Sequence, residues 1–321
     1  MAAAYFEGTV LPAGDTLDVE KAAERLRKAM KGLGTDENVI IDVLSNHCNS
    51  ERQMIKSMYK TMYGRVIIHD LQDELSGHFE TLCLYFLMPS RNFDAHCLYL
   101  AMKSLGTKES TLIEILVSRT PSQLEEIREN YRKNYGHELE AAIKGETSGD
   151  LERVLVSLLQ GQRSQEPEID VELVKKDAED LYNAGEGNRM GTDETVFNKI
   201  LVNRSMGHLR RTFEEYRKLD DQDIEGAVAA ETSGNLKRAF LAIVRFVRSP
   251  LEYFAECFHE SFKGSGTDDE RLMQLVVSHS EVDMKDIKRV YAEKYSQTLY
   301  SAIKGETSGD YRKLLLSTVG E

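Results

Sequence analysis

Apolar positions near the start of the chain recur with a helical period. Val19, Ala22, Ala23, Leu26, Ala29 and Met30 follow an i, i+3, i+4, i+7 pattern, which predicts an amphipathic helix. Gly32-Leu33-Gly34 breaks it. Thr35 then suits an N-cap, with Asp36 and Glu37 in a first turn where carboxylates favour the helix dipole. Val39, Ile40, Val43 and Leu44 predict a second helix; Ile55, Met58, Tyr59 and Met62 a third; Ile67, Ile68, Leu71 and Leu75 a fourth, stopped at Ser76-Gly77. A fifth is expected from Phe79 to Met88, before Pro89. Alternating β-branched runs and Asn-Gly hairpin turns are absent, so the expected class is all-α.

The pattern repeats. A glycine-containing phrase occurs at Lys31–Asp36, Lys103–Lys108, Arg189–Asp193 and Lys263–Asp268. Its last glycines are Gly34, Gly106, Gly191 and Gly266, and 40 residues beyond each stands a glutamate: Glu74, Glu146, Glu231 and Glu306. Each glutamate opens a second phrase, Glu-Leu-Ser-Gly in the first case and Glu-Thr-Ser-Gly in the other three. The chain therefore divides into a head, 1–16, and four repeats of about five helices at 17–88, 89–160, 170–247 and 248–321. Residues 161–169 are polar, carry Pro167 and lack apolar periodicity, and read as a linker between two halves.

A glycine loop coupled to a distant carboxylate suggests a hard-cation site. Met30, Gly32 and Gly34 alternate along the first loop, so their carbonyls can converge, and glycine permits the necessary backbone. Calcium takes ~6–8 oxygens, of which three carbonyls and a bidentate Glu74 supply about five. The glutamate also falls at a helix C-terminus, where the dipole disfavours an anion unless a cation is near. The alternative makes the glycines a C-cap, the threonine an N-cap and the glutamate a bystander. Four occurrences at one spacing favour the cation.

Other chemistry finds less support. Asp221, Asp223, Glu225 and Gly226 imitate an EF-hand, but Thr232 stands where the twelfth-position acid belongs, so the stretch reads as a solvated turn. The glycine phrases lack the third glycine of a dinucleotide fingerprint, and no Walker lysine follows them. No Ser–His–Asp or Cys–His set stands out among eight scattered histidines, which argues against an enzyme.

Charge adds a condition. The 321 residues carry a formal charge of −13, which repels nucleic acid, and repels anionic lipid unless a cation intervenes. Cys48, Cys83, Cys97 and Cys257 match no zinc or disulfide pattern and are expected as buried thiols. Residues 1–10 have neither the basic nor the apolar region of a signal peptide, and no apolar run reaches the ~20 residues of a spanning helix. Membrane contact, if made, is peripheral.

Four Gly-Thr loops, the Glu-Thr-Ser-Gly phrases and the repeats of five helices together resemble the annexin family, from about Gly8 to Gly320. The resemblance implies a curved disc with calcium loops on its convex face. It also implies reversible, calcium-dependent binding to acidic phospholipids such as phosphatidylserine, without enzymatic activity. Carried over, the metal positions are Met30, Gly32, Gly34 and Glu74 in repeat 1, and Phe262, Gly264, Gly266 and Glu306 in repeat 4. Repeat 2 has Met102, Ser104, Gly106 and Glu146; Ser104 replaces a glycine and Lys108 an acidic residue, so weaker calcium binding is expected there. Repeat 3 has Gly187, Arg189, Gly191 and Glu231, in a loop read as one residue longer than the family's usual.

Leu33, Leu105, Met190 and Ser265 occupy the expected membrane-contacting tips, and the first three are apolar. Asp94, Glu114 and Arg119 match charged positions of a central channel reported for some annexins, but Cys97 and Gln274 break that set. A buried Glu114–Arg119 pair joining repeats is the preferred reading. The head shows no amphipathic partner-binding helix. The implied setting is cytoplasmic, moving to the membrane periphery on a calcium rise; self-association on membranes and release from cells without a signal peptide stay open. A protein-binding helical scaffold is the competing reading, but it has no need of a glutamate at a fixed distance from each loop.

Overall fold

The computed structural model describes residues 6–32, 34–103, 106–185, 193–219, 223–264 and 266–321. Among these residues the chain forms twenty α-helices, one 3-10 turn and no strand. Repeat 1 holds α1 (Val19–Ala29), α2 (Glu37–Ser45), α3 (Asn49–Tyr63), α4 (Ile67–Glu74) and α5 (Gly77–Phe86). Repeat 2 holds α6 (Ser90–Lys103), α7 (Glu109–Ser118), α8 (Pro121–Tyr135), α9 (Leu139–Glu146) and α10 (Gly149–Leu159). Repeat 3 holds α11 (Val171–Ala184), α12 (Glu194–Asn203), α13 (Met206–Tyr216), α14 (Ile224–Glu231) and α15 (Gly234–Arg248). Repeat 4 holds α16 (Pro250–Ser261), α17 (Asp269–His279), α18 (Met284–Tyr295), α19 (Leu299–Glu306) and α20 (Gly309–Val319).

The periodic positions form the core. Ala22, Ala23, Leu26 and Ala29 of α1 are buried, as are Ile40, Val43 and Leu44 of α2, Ile55 and Tyr59 of α3, and Ile67 and Leu71 of α4. One expectation fails: Met62 is 41% exposed. The fifth helix also begins earlier, at Gly77, so Ser76-Gly77 opens α5 more than it closes α4. All four cysteines are buried, and none forms a disulfide among the described residues.

The helices gather into two compact units, one of residues 1–93 with 254–321 and the other of 94–253. In the first, α1 packs on α3 and α2 against α20. Its head runs over the α17–α18 turn, where the amides of Thr9 and Val10 both donate to the Ser280 carbonyl (2.8 and 2.9 Å). Gly8 passes so close that a Cβ there would lie 2.5 Å from the Glu281 carbonyl carbon. In the second unit, α7 packs on α15 and α10 on α12.

The stretch read as a linker between halves instead lies inside the second unit. Its Ser164 amide donates to the Asn203 carbonyl (2.8 Å), and the Arg163 guanidinium donates to the carbonyls of Arg204 (2.8 Å) and Leu201 (2.9 Å). Arg163 thus covers the C-terminal carbonyls of α12, where a cation is favoured.

Buried acids anchor arginines within single repeats. Both Asp70 oxygens accept from Arg65, and one accepts from the Tyr59 hydroxyl. Asp177 takes Arg204 and His208. Asp94 takes Arg119 through two bonds, at 2.8 and 3.0 Å. The Arg119–Asp94 pair therefore links α6 to the end of α7 inside repeat 2. Asp94, Glu114, Cys97 and Gln274 are all buried.

Of the EF-hand look-alike, the structure describes Asp223, Glu225 and Gly226. Asp221 lies outside the described residues. Asp223 caps α14 by accepting from the Gly226 amide (3.1 Å) and pairs with Arg248, while Glu225 pairs with Arg245 and Arg248. Asp223 and Glu225 thus meet at the Arg248 guanidinium of α15.

Candidate cation loops

Each repeat builds its loop in the same place, between its first and second helix. A backbone hydrogen bond closes the loop at its base: Asp36 N to Ala29 O (2.9 Å), Lys108 N to Ala101 O (2.9 Å), Asp193 N to Ala184 O (2.8 Å) and Asp268 N to Ser261 O (2.8 Å). These bonds measure the loops directly. The span is seven residues in repeats 1, 2 and 4 and nine in repeat 3 (193 less 184), so the third loop is two residues longer than the other three of this chain.

Positive φ angles shape the loops. Gly32 and Gly264 hold matching values of +118° and +116°, a region that L-residues seldom enter. Gly34, Gly106 and Gly266 are also positive, at +87°, +87° and +146°. Met30 is buried as the C-cap of α1, Met102 is buried near the end of α6, and Phe262 directly follows α16.

The glutamates arrive from the other side. Glu74, Glu146, Glu231 and Glu306 are the last residues of α4, α9, α14 and α19. Three of them meet the loop through its threonine. Thr35 Oγ1 donates to Glu74 Oε2 at 2.9 Å, Thr107 to Glu146 Oε2 at 3.2 Å, and Thr267 to Glu306 Oε2 at 3.4 Å. In repeat 3 a Cβ on Gly185 would lie 3.3 Å from Glu231 Cγ, so that glutamate too stands against the start of its loop. Glu74, Glu146 and Glu306 are exposed and Glu231 half-buried.

This arrangement corrects the reading of Thr35 as an N-cap. The cap is Asp36, whose carboxylate accepts from the Val39 amide (3.2 Å); Asp193 and Asp268 cap α12 and α17 the same way. Lys108 stands at this position in repeat 2 and makes no side-chain cap bond. The threonine is left to hold the glutamate. Its sequence signal was present, since a threonine follows the last glycine in every repeat.

Leu33, Ser104, Leu105, Gly187, Arg189, Met190, Gly191 and Ser265 lie outside the described residues. Among those described, no group of three or more His, Cys, Asp or Glu side chains is placed to hold a metal. Backbone carbonyls with a carboxylate are hard oxygen donors of the kind calcium takes. No helix of the described residues is long and apolar enough to cross a membrane.

Fold and loops define a four-repeat, all-helical protein with one glycine loop and one helix-terminal glutamate per repeat. Comparison with known proteins agrees. The annexin family model matches at residues 21–86, 93–158, 176–243 and 253–318. Annexin A5 of Gallus gallus is 46% identical over 99% of this chain and 98% of its own length, and human annexin A13 is 46% identical over 94% and 95%. The solved structure of annexin III superposes with a TM-score of 0.95 at 41% identity, covering 99% of this chain and 98% of that one. A calcium-bound annexin (Sm)1 superposes at 0.87 with 32% identity, covering 98% and 93%. The chain belongs to the annexin family. Membership implies calcium-dependent phospholipid binding, in a family of non-enzymatic membrane-binding proteins.

Proposed function

We propose that this protein binds acidic phospholipid surfaces reversibly through its four interhelical loops, with repeats 1 and 4 as the stronger sites. The observation that carries the reading is the loop threonine holding a helix-terminal glutamate, in loops whose glycines have positive φ. Met30, Gly32 and Gly34 offer carbonyls opposite Glu74, and Phe262, Gly264 and Gly266 do so opposite Glu306. Calcium, when bound, supplies the positive charge that links these oxygens to lipid phosphate and offsets the −13 of the chain.

Met102, Ser104, Gly106 and Glu146 form a weaker set, since Ser104 stands where its counterparts need positive φ and Lys108 adds a like charge. Gly187, Arg189, Gly191 and Glu231 serve the lengthened third loop. Leu33, Leu105 and Met190 add apolar contact at the interface, with Ser265 as the polar member. The protein accordingly resides in the cytoplasm and moves to phosphatidylserine-bearing membranes when calcium rises.

Cosedimentation with phosphatidylserine vesicles tests this. Wild type should pellet in calcium and stay in solution in chelator. The pair Glu74→Gln and Glu306→Gln should raise the half-maximal calcium concentration more than Glu146→Gln alone. Binding unchanged by chelator refutes the function; an equal or reversed ranking refutes the assignment of strong sites.

A further inference from the structure

A cleft of about 200 Å³ lies within the 94–253 unit, and neither Glu146 nor Glu231 lines it. Leu116, Leu124, Leu158, Val202 and Phe246 give it apolar walls, Gly161, Gln162, Arg163 and Gln165 border it, and Arg119, held by Asp94, lines it as well. A cavity of ~150 Å³ takes a benzene ring, so this one suits about eight to ten non-hydrogen atoms.

The polar partner is Arg163. A guanidinium carries five N–H donors. The two bonds of Arg163 go to the carbonyls of Arg204 and Leu201, and among the described residues no carboxylate pairs with it. Burial pushes its pKa down to about 10. A charge held in apolar surroundings with only neutral acceptors favours an anion. Apolar walls and the Arg163 guanidinium, beside an Arg119 already paired with Asp94, together select an amphiphile with a small anionic head.

We propose that this cleft binds a small aryl or alkyl carboxylate, with the carboxylate on Arg163 and the apolar end against Leu116, Leu158 and Phe246. Such a ligand ties the 161–165 strap to the end of α12, independently of the calcium loops.

The test uses the full chain with 13C-methyl methionine. Met206 borders the cleft and the other ten of eleven methionines serve as controls. Phenylacetate should shift the Met206 methyl saturably, and should bind at least about tenfold tighter than neutral phenylacetamide. Arg163→Gln should bring the acid down to the affinity of the amide. If that variant does not fold, the acid–amide comparison on wild type and on Arg163→Lys decides. A Met206 signal unmoved by phenylacetate overturns the proposal, as does equal binding of acid and amide.

Discussion

Gly32→Ser gives the repeat 1 loop the serine that repeat 2 carries at the matching place, Ser104. Gly32 holds φ +118° and its counterpart Gly264 +116°. A Cβ built on Gly32 meets no heavy atom within 4 Å, so the surrounding protein adds no crowding. The whole cost is then local backbone strain, about 1–3 kcal/mol. At ~1.4 kcal/mol per tenfold, that corresponds to about 5- to 150-fold in an equilibrium constant. The strain has two places to appear. If the loop keeps this backbone without a cation, the variant loses stability in chelator. If the loop relaxes, the loss moves to calcium affinity. Urea unfolding in chelator measures the first. Calcium calorimetry with phosphatidylserine vesicles measures the second, in a chain carrying Glu146→Gln, Glu231→Gln and Glu306→Gln so that repeat 1 alone is read. The two losses should sum to the strain energy. Ser104→Gly, in a chain that keeps Glu146 alone of the four glutamates, should give a gain of the same order. A summed loss below about 0.5 kcal/mol, the scatter of ordinary surface substitutions, would refute the strain argument.

Thr35→Val removes the hydroxyl that holds Glu74 and keeps the side-chain shape; the bond is exposed, so calcium affinity at repeat 1 should fall by no more than about fivefold, or ~1 kcal/mol. Thr35→Ser should restore it, and identical calorimetric affinities for Val and Ser would remove the hydroxyl from the account. Asp70→Asn should cost about 2–3 kcal/mol in urea unfolding near neutral pH, because Arg65 and Tyr59 lose a buried carboxylate. The bonds from Arg65 hold the Asp70 carboxyl below its usual range, so its contribution is complete above the unfolded value of ~3.9 and fades as pH falls through the folded one. The stability gap between wild type and Asp70→Asn should therefore narrow in acid; a gap that stays constant from about pH 6 to about pH 2 contradicts the pairing.

Much of the molecule is legible along the chain. The helical period of Ala22, Leu26, Ile40, Leu44 and Leu71 marks faces that are buried, because a local repeat of apolar side chains needs only one partner surface to bury it. The glutamates could be placed at helix ends from four equal spacings. Met62 fits the same period yet stays exposed, since periodicity says which face is apolar and not how far the neighbouring helix extends.

The sequence by itself determined the all-helical class, the four repeats, and the pairing of each glycine loop with one glutamate. Tertiary structure alone decided which oxygen each group meets. Thr35 looks like an N-cap because its near neighbours permit that, while the acceptor it uses is Glu74, 39 residues away. Residues 161–169 look like a spacer because they are polar, while Arg163 and Ser164 bind carbonyls near the end of α12, about 40 residues on. The same holds for the grouping of repeat 1 with 4 and of repeat 2 with 3. Periodicity records what a residue does with its own turn of helix. Hydrogen-bond partners across tens of residues leave no local trace, and they appear only when packing has set the helices beside one another.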